Sequence, residues 1–202
     1  MTTATPAHDI TAVILAGGKA RRMDGVDKGL INLHGKAMVE YIISALRPQV
    51  ASIIINANRN PEQYGAYGLP VVADMLGEYF GPLVGMATGM HATDKAYIVT
   101  APCDSPIIPA TLVGTLYRAL HNSQADISVA HDGERMQPVF ALLRCSLLPS
   151  LLAYLDEGGR KIDTWYGRHR LALADFSSSP DTFLNLNTPE DKMVLESRMN
   201  GQ

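Results

Sequence analysis

The chain has 202 residues, enough for one domain with a sizeable core. Hydrophobic residues make up 47% and charged residues 18%, a soluble globular balance, and the formal net charge of −3 argues against a nucleic-acid binder, which carries a basic surplus. No apolar run is long enough to span a bilayer, the polar start Met1–Asp9 has no signal-peptide core, and the well-separated Cys103 and Cys145 read as reduced thiols, so a cytoplasmic protein without membrane contact is expected. Met1–Asp9 is expected to be a disordered tail, and residues 10–202 a single domain.

Thr11–Leu15 is a short β-branched run that predicts a buried parallel strand. It leads into Ala16-Gly17-Gly18-Lys19-Ala20-Arg21-Arg22, and the chain reaches Lys28 before it turns apolar again. Gly17 and Gly18 allow a sharp turn whose backbone N–H groups can form an anion nest, and Lys19, Arg21, Arg22 and Lys28 add charge-assisted contacts. The pattern predicts a polyphosphate-binding loop at a strand end. It is neither a P-loop, because Gly29 follows Lys28, nor a G-x-G-x-x-G fingerprint.

Leu30–Leu33 reads as extended and His34-Gly35-Lys36 as a turn, with His34 a turn residue. Met38, Ile42, Ile43 and Leu46 fall at helical spacing and Pro48 stops that helix. Ser52–Ile55 and Val71–Ala73 are further strands, ending at Asn56 and Asp74. Polar residues at the carboxyl ends of parallel strands face the ligand crevice, although Asn and Asp are also common turn and cap residues there. Gly81-Pro82 opens a helix whose apolar face carries Leu83, Met86, Ala87 and Met90. Tyr97–Thr100 is a strand running into Ala101-Pro102-Cys103-Asp104-Ser105-Pro106, where two prolines stiffen the backbone around Asp104. A carboxylate held there suits Mg²⁺, which takes one or two carboxylates plus substrate phosphates and waters. Cys103 reads as a small packing residue.

Leu112 to Leu120 is another amphipathic helix. Ile127–Ala130 and Gln137–Leu143 are strands joined by a hairpin at Asp132-Gly133, and Pro138 predicts an edge position or a strand start. Arg135 and Gln137 read first as surface hairpin residues. Ser146 is expected to cap a helix closed by Gly158-Gly159. The pair Arg160-Lys161 is compatible with either a phosphate contact or plain solvation. Leu171–Phe176 is a strand, and the alternation Phe183-Leu184-Asn185-Leu186-Asn187 predicts another, with Asn185 and Asn187 on one face. Thr188-Pro189-Glu190-Asp191 is a helix start. Strands alternating with helices predict a three-layer α/β domain with a mostly parallel sheet.

Leu-Ala-Gly-Gly at residues 15–18, then Arg22-Met23, Gly25 and Asp27-Lys28, resembles the signature loop of the nucleoside-triphosphate transferases, and in its Gly-Gly form it is most similar to the molybdenum cofactor guanylyltransferases. Gly81-Pro82-Leu83, Pro102-Cys103-Asp104-Ser105-Pro106 and Phe183-Leu184-Asn185-Leu186-Asn187-Thr188-Pro189-Glu190-Asp191 extend the resemblance from Ala12 to Asp191. It implies a Rossmann-like α/β/α nucleotidyltransferase fold with a hairpin insertion, and transfer of GMP from GTP to the terminal phosphate of molybdopterin with release of pyrophosphate. The matching positions for GTP are Leu15, Ala16, Gly17, Gly18, Lys28, Asn56, Asp74 and Asp104. Arg22, Lys28 and Asp104 are the expected catalytic residues, Asp104 the Mg²⁺ ligand, and Asn185 and Asn187 the molybdopterin side of the cleft. Arg135 and Gln137 lie where the family supports its acceptor. An ionised Asp74 accepts both the N1–H and the amino group of guanine, a donor pair that cytosine lacks. A monomer is expected, handing its product transiently to molybdoenzymes or cofactor carriers. Cytidylyl transfer, a sugar-phosphate acceptor and a non-catalytic molybdopterin carrier stand as alternatives.

Overall fold

A computed structural model describes residues 7–16, 27–77 and 81–199. Ala7–Asp9, within the expected tail, form a single 3₁₀ turn before Ile10; Met1–Pro6 lie outside the described residues. Strand β1 (Ile10–Leu15) follows. A 3₁₀ turn at Lys28–Leu30 leads to the small hairpin β2 (Asn32–Leu33) and β3 (Lys36–Ala37), then to helix α1 (Met38–Leu46). Pro48 sits in a further 3₁₀ turn, Arg47–Gln49. Next come β4 (Ser52–Asn56), α2 (Pro61–Gly65), β5 (Val71–Val72), α3 (Pro82–His91), β6 (Tyr97–Pro102) and α4 (Leu112–Asn122). Strands β7 (Ile127–His131) and β8 (Met136–Arg144) form the inserted hairpin. Helices α5 (Leu148–Asp156) and α6 (Ile162–Tyr166), strand β9 (Leu171–Asp175) and helix α7 (Pro189–Met199) complete the chain.

Seven strands make the main sheet in the order β5-β4-β1-β6-β8-β7-β9. Only β8 runs antiparallel to its neighbours. The two faces of β1 explain the layers, because side chains alternate along a strand. Ile10, Ala12 and Ile14 pack with Val39, Ile42 and Leu46 of α1 and with Leu112, Val113 and Leu116 of α4. Val13 points the other way, into a cluster with Leu83, Met86 and Met90 of α3, Leu151 and Leu155 of α5, and the fully buried Trp165. Helix α3 is buried from Leu83 through Met90, deeper than an amphipathic reading predicts, because sheet and α5 cover it on both sides. Gly85 and Gly89 make that approach close enough: a Cβ at Gly89 would meet both Val13 methyl groups.

The sequence of strands reverses direction across the sheet at β1 and β6, and a crevice opens outside their carboxyl ends. Pro138 takes the strand-start alternative: it is the third residue of β8, which lies between β6 and β7, close to the bulge where the β7–β8 register shifts after Val129. Two expectations are corrected. Phe183–Asn187 is not a strand: Pro180–Phe183 form a 3₁₀ turn and residues 184–187 run on without joining a sheet. Ser146 also lies inside a 3₁₀ turn, Cys145–Leu147, instead of capping α5.

The buried Gln49 ties the two helices of one layer together. Its Nε2 donates to the carbonyls of Ala45 (2.8 Å) and Pro109 (3.0 Å), and its Oε1 accepts from the Val113 N–H at 3.0 Å. Replacing Gln49 by Met leaves these buried groups unpaired. A loss of about 1–3 kcal/mol is expected, read in thermal denaturation as a Tm lower by about 2–4 °C per kcal/mol; an unchanged Tm would show that water replaces the amide at no cost.

Candidate active site

Three loops converge on one ammonium group. Lys28 Nζ donates to Asp104 Oδ2 at 2.9 Å and to Asn187 Oδ1 at 2.7 Å. The Lys28 and Asp104 side chains are 22% and 21% exposed, so the pair is sheltered yet open to a ligand. Asp104 occupies the turn after β6, one residue beyond Cys103, whose N–H extends the ladder to Leu15 O at 3.1 Å. The Asp104 carbonyl accepts from the Leu186 N–H at 2.9 Å, and the fully buried Ser105 hydroxyl donates to Asn185 Oδ1. Asn187 is held in turn by the start of α7. The Asn187 and Thr188 N–H groups both donate to Asp191 Oδ2 (2.8 and 2.9 Å), and the Asp191 N–H donates to Thr188 Oγ1 at 3.2 Å. This reciprocal cap is the helix start read from Thr188-Pro189-Glu190-Asp191. The Asn187 N–H holds the Asp191 carboxyl below the usual carboxylate range, with the Lys28 charge adding a smaller pull.

A second cluster stands on the other side of β1. Leu15 pairs in register with both Asn56 of β4 and Pro102 of β6. The two clusters therefore sit two strand spacings apart, about 10 Å. Asn56 Nδ2 donates to Asp74 Oδ1 at 2.9 Å, and Asn58 Nδ2 donates to Asp74 Oδ2 at 2.7 Å. The Asp74 N–H returns a bond to Asn58 Oδ1 at 2.8 Å. Each Asp74 oxygen keeps a further lone pair, so the carboxylate is oriented without being used up. Ala16, at the end of β1, donates its N–H to Asn56 O at 2.8 Å. Gly85 at the head of α3 packs against the Asn56 side chain and Leu15, where a Cβ would collide with both. Beside Asp74 opens a mostly apolar cleft of about 640 Å³ lined by Met75, Leu76, Val84, Leu152, Leu155 and Arg160.

Residues 12–171 match the model of the MobA-like NTP transferase domain. A molybdenum cofactor guanylyltransferase of Shewanella sp. (strain MR-4) is 50% identical over 95% of this chain and 97% of its own length. The chain belongs to the MobA-like NTP transferase family. Another molybdenum cofactor guanylyltransferase, from Shewanella sediminis, is 50% identical over 92% of this chain and 95% of its own. The fold is shared with molybdopterin-guanine dinucleotide biosynthesis protein A of Archaeoglobus fulgidus, with a TM-score of 0.79 at 21% identity over 95% of this chain and all of that one. It is shared too with 2-C-methyl-D-erythritol 4-phosphate cytidylyltransferase of Thermus thermophilus, with a TM-score of 0.70 at 14% identity over 93% of this chain and 98% of that one.

In this MobA-like NTP transferase, the structure brings together Leu15, Ala16, Asn56 and Asp74 on one side, and Lys28, Asp104, Asn185 and Asn187 on the other. Gly17, Gly18, Lys19, Arg21 and Arg22 lie outside the described residues. Arg135 and Gln137 brace the hairpin: Gln137 Nε2 donates to Asp132 Oδ2 at 2.6 Å, and Arg135 Nε stands 3.8 Å from the same oxygen. The Arg135 and Glu134 N–H groups pull the Asp132 carboxyl down to about 2. Because β7 runs parallel to β6 through β8, this hairpin stands at the carboxyl-end edge of the sheet. Arg160 Nη1 donates to Leu155 O at the end of α5, and Lys161 is exposed. Cys103 and Cys145 are free thiols, each pushed up by burial, Cys145 to about 11. His34 is a turn residue with φ of 48°, as its sequence context predicts.

Asn58 is the site residue that sequence reading missed. The i, i+2 spacing from Asn56 was a hint at most, because Asn58 lies beyond the end of β4 and its partner Asp74 comes from a different element. Replacing Asn58 by Ala strips Asp74 of one amide donor and of the acceptor for its N–H. Binding of GTP to the Ala variant is expected to weaken about tenfold, the equivalent of about 1.4 kcal/mol, with the fold retained; an unchanged Kd would show that Asn56 alone suffices to orient Asp74.

Proposed function

We propose that the chain transfers GMP from GTP to the terminal phosphate of molybdopterin, forming a molybdopterin guanine dinucleotide and pyrophosphate. The observation that carries this reading is the Lys28 ammonium held between Asp104 and Asn187 in a chain of this family. One cation thus joins the end of the signature loop, the Pro-Cys-Asp-Ser-Pro turn and the closing motif at a single point outside the sheet.

In this reading the acceptor phosphate oxygen attacks the α-phosphorus of GTP. A new P–O bond forms there, and the bond to the bridging oxygen of the β-phosphate breaks. The acceptor phosphate is already largely anionic near neutral pH, so no side chain has to remove its proton. What remains is to hold two polyanions in line and to stabilise the charge on departing pyrophosphate, which positioning and fixed charges supply. Gly17 and Gly18 offer backbone donors to the phosphates. Arg22 and Lys28 neutralise the triphosphate and the developing charge. Asn56 and Asp74 fix the guanine, with Asn58 holding Asp74 from behind, and Asn185 and Asn187 receive the pterin side. Arg135 and Gln137 are the candidates for the acceptor end.

Asp104 fits a magnesium ion. It offers hard carboxylate oxygens, and among the described residues no group of three or more His, Cys, Asp or Glu gathers into a cage. That donor set suits an ion which completes its shell with substrate phosphates and water. When bound, the ion supplies charge neutralisation at the phosphate oxygens. Lys28 already balances Asp104 in its absence, keeping the carboxylate in place. No helix among the described residues is long and apolar enough to cross a membrane. The proposal includes a cytoplasmic monomer that passes its product transiently to molybdoenzymes or cofactor carriers.

Incubation with molybdopterin, Mg²⁺ and each of GTP, CTP and ATP, read by mass, tests the reaction. A guanine dinucleotide with pyrophosphate, from GTP alone, is expected. A cytosine product would keep the mechanism and overturn the role of Asp74, while no product from folded protein that still binds molybdopterin would favour a carrier. Asp104→Ala is expected to lower turnover by about 100-fold or more with the fold retained; a fully active variant would remove Asp104 from the metal site.

A further inference from the structure

Asp27 immediately precedes Lys28, and it is a buried acid, 8% exposed. The partners the structure gives it are neutral. The Tyr64 hydroxyl of α2 donates to Asp27 Oδ1 at 2.6 Å, and Asn60 Nδ2 donates to Asp27 Oδ2 at 3.0 Å. Tyr64 is itself fully buried, and that burial raises its phenol far above the ordinary range, so it remains a protonated donor. Asn60 takes a left-handed conformation, φ 52°, at the cap of α2, one that Asn tolerates better than most residues. Gly29 leaves room for the contact: a Cβ there would stand 2.5 Å from the Tyr64 hydroxyl and 3.2 Å from Cys103 Cβ.

This clamp controls the backbone from which Lys28 departs. The Asp27 carbonyl accepts from the Leu30 N–H, and the Lys28 carbonyl from the Ile31 N–H, both at 3.1 Å. Asp27 is thereby the cap of the 3₁₀ turn that starts at Lys28. With both oxygens of its side chain pinned to α2, the turn cannot slide, and the lysine stem has one origin from which to reach Asp104 and Asn187.

We propose that Tyr64 and Asn60 are positioning residues for Lys28, acting through Asp27 to set where its ammonium meets the triphosphate. The proposal rests on the reading of Lys28 as a triphosphate ligand. It assigns α2 a role in phosphate binding separate from base recognition at Asn56 and Asp74.

Titration of the full chain with GTP and with GMP in Mg²⁺ tests it, because Lys28 serves the triphosphate and not the base. Tyr64→Phe keeps the ring and removes the donor; Asn60→Gly keeps the left-handed backbone and removes the amide. Each is expected to weaken GTP binding about five- to tenfold and to leave GMP binding within about twofold. In a Lys28→Ala background, Tyr64→Phe is expected to cost nothing further, the non-additivity of a residue acting through another. Equal losses for GTP and GMP, a Tyr64→Phe penalty that persists in full without Lys28, or no penalty at all would overturn the inference. Lys28→Ala alone leaving GTP affinity unchanged would instead remove the reading of Lys28, and the positioning role with it.

Discussion

The structure depends on one half-buried ammonium shared by two acceptors far away in the chain. Asp104 lies 76 residues and Asn187 159 residues from Lys28. An unpaired cation so sheltered would be costly, and an unpaired Asp104 beside it equally so. The pairing therefore draws in the turn after β6 and the segment before α7. Each of those is anchored independently: the first by the Cys103 N–H on the end of β1, the second by the Asp191 cap and the Leu186 N–H. Removing the lysine would strip a joint from three loops at once.

Three carboxyl groups around the crevice differ in their partners, and the partners set what each can do. Asp104 faces a cation and stays partly open, which leaves its carboxylate reachable from outside. Asp74 faces two amides, which fix its plane while leaving lone pairs for donors on a base. Asp27 faces a phenol and an amide in the interior, only 8% exposed. Sequence gives the same letter at all three positions. Burial and partner chemistry separate the proposed metal ligand, the proposed base reader and the proposed brace.

The layers and the strand ends were legible because their signals are local. β-branched runs at Thr11–Leu15 and Ser52–Ile55 announce strands buried on both faces, and polar residues right after them announce the crevice. The roles of Asn58, Asp27, Tyr64 and Asn60 were not legible, because each depends on a bond between elements 16 to 37 residues apart. Nothing in the run Asn56-Ala57-Asn58 states that both amides will meet one carboxylate; that follows only once β5 lies parallel to β4 and delivers Asp74 beside them. Helix α3 was read as amphipathic for a similar reason. Its polar-side residues, Thr88 and the glycines, are small enough to be buried, so periodicity understated its coverage.

The closing motif shows what period-two patterning does and does not establish. The alternation over Phe183–Asn187 correctly puts Leu186 inside, at 0% exposure, and Asn185 outside; Phe183, on the same parity as the asparagines, is buried by the 3₁₀ turn that ends on it. Alternation reports an extended backbone with one face on the core; a strand also needs a neighbour to exchange ladder bonds with. This segment crosses the mouth of the crevice instead, spending one N–H on the Asp104 carbonyl and its two asparagine side chains on Ser105 and Lys28. Freedom from the sheet is what allows both amides to be spent on the site. A ladder position would have fixed the backbone to a neighbouring strand and left Asn187 without the α7 cap that now holds it against the lysine.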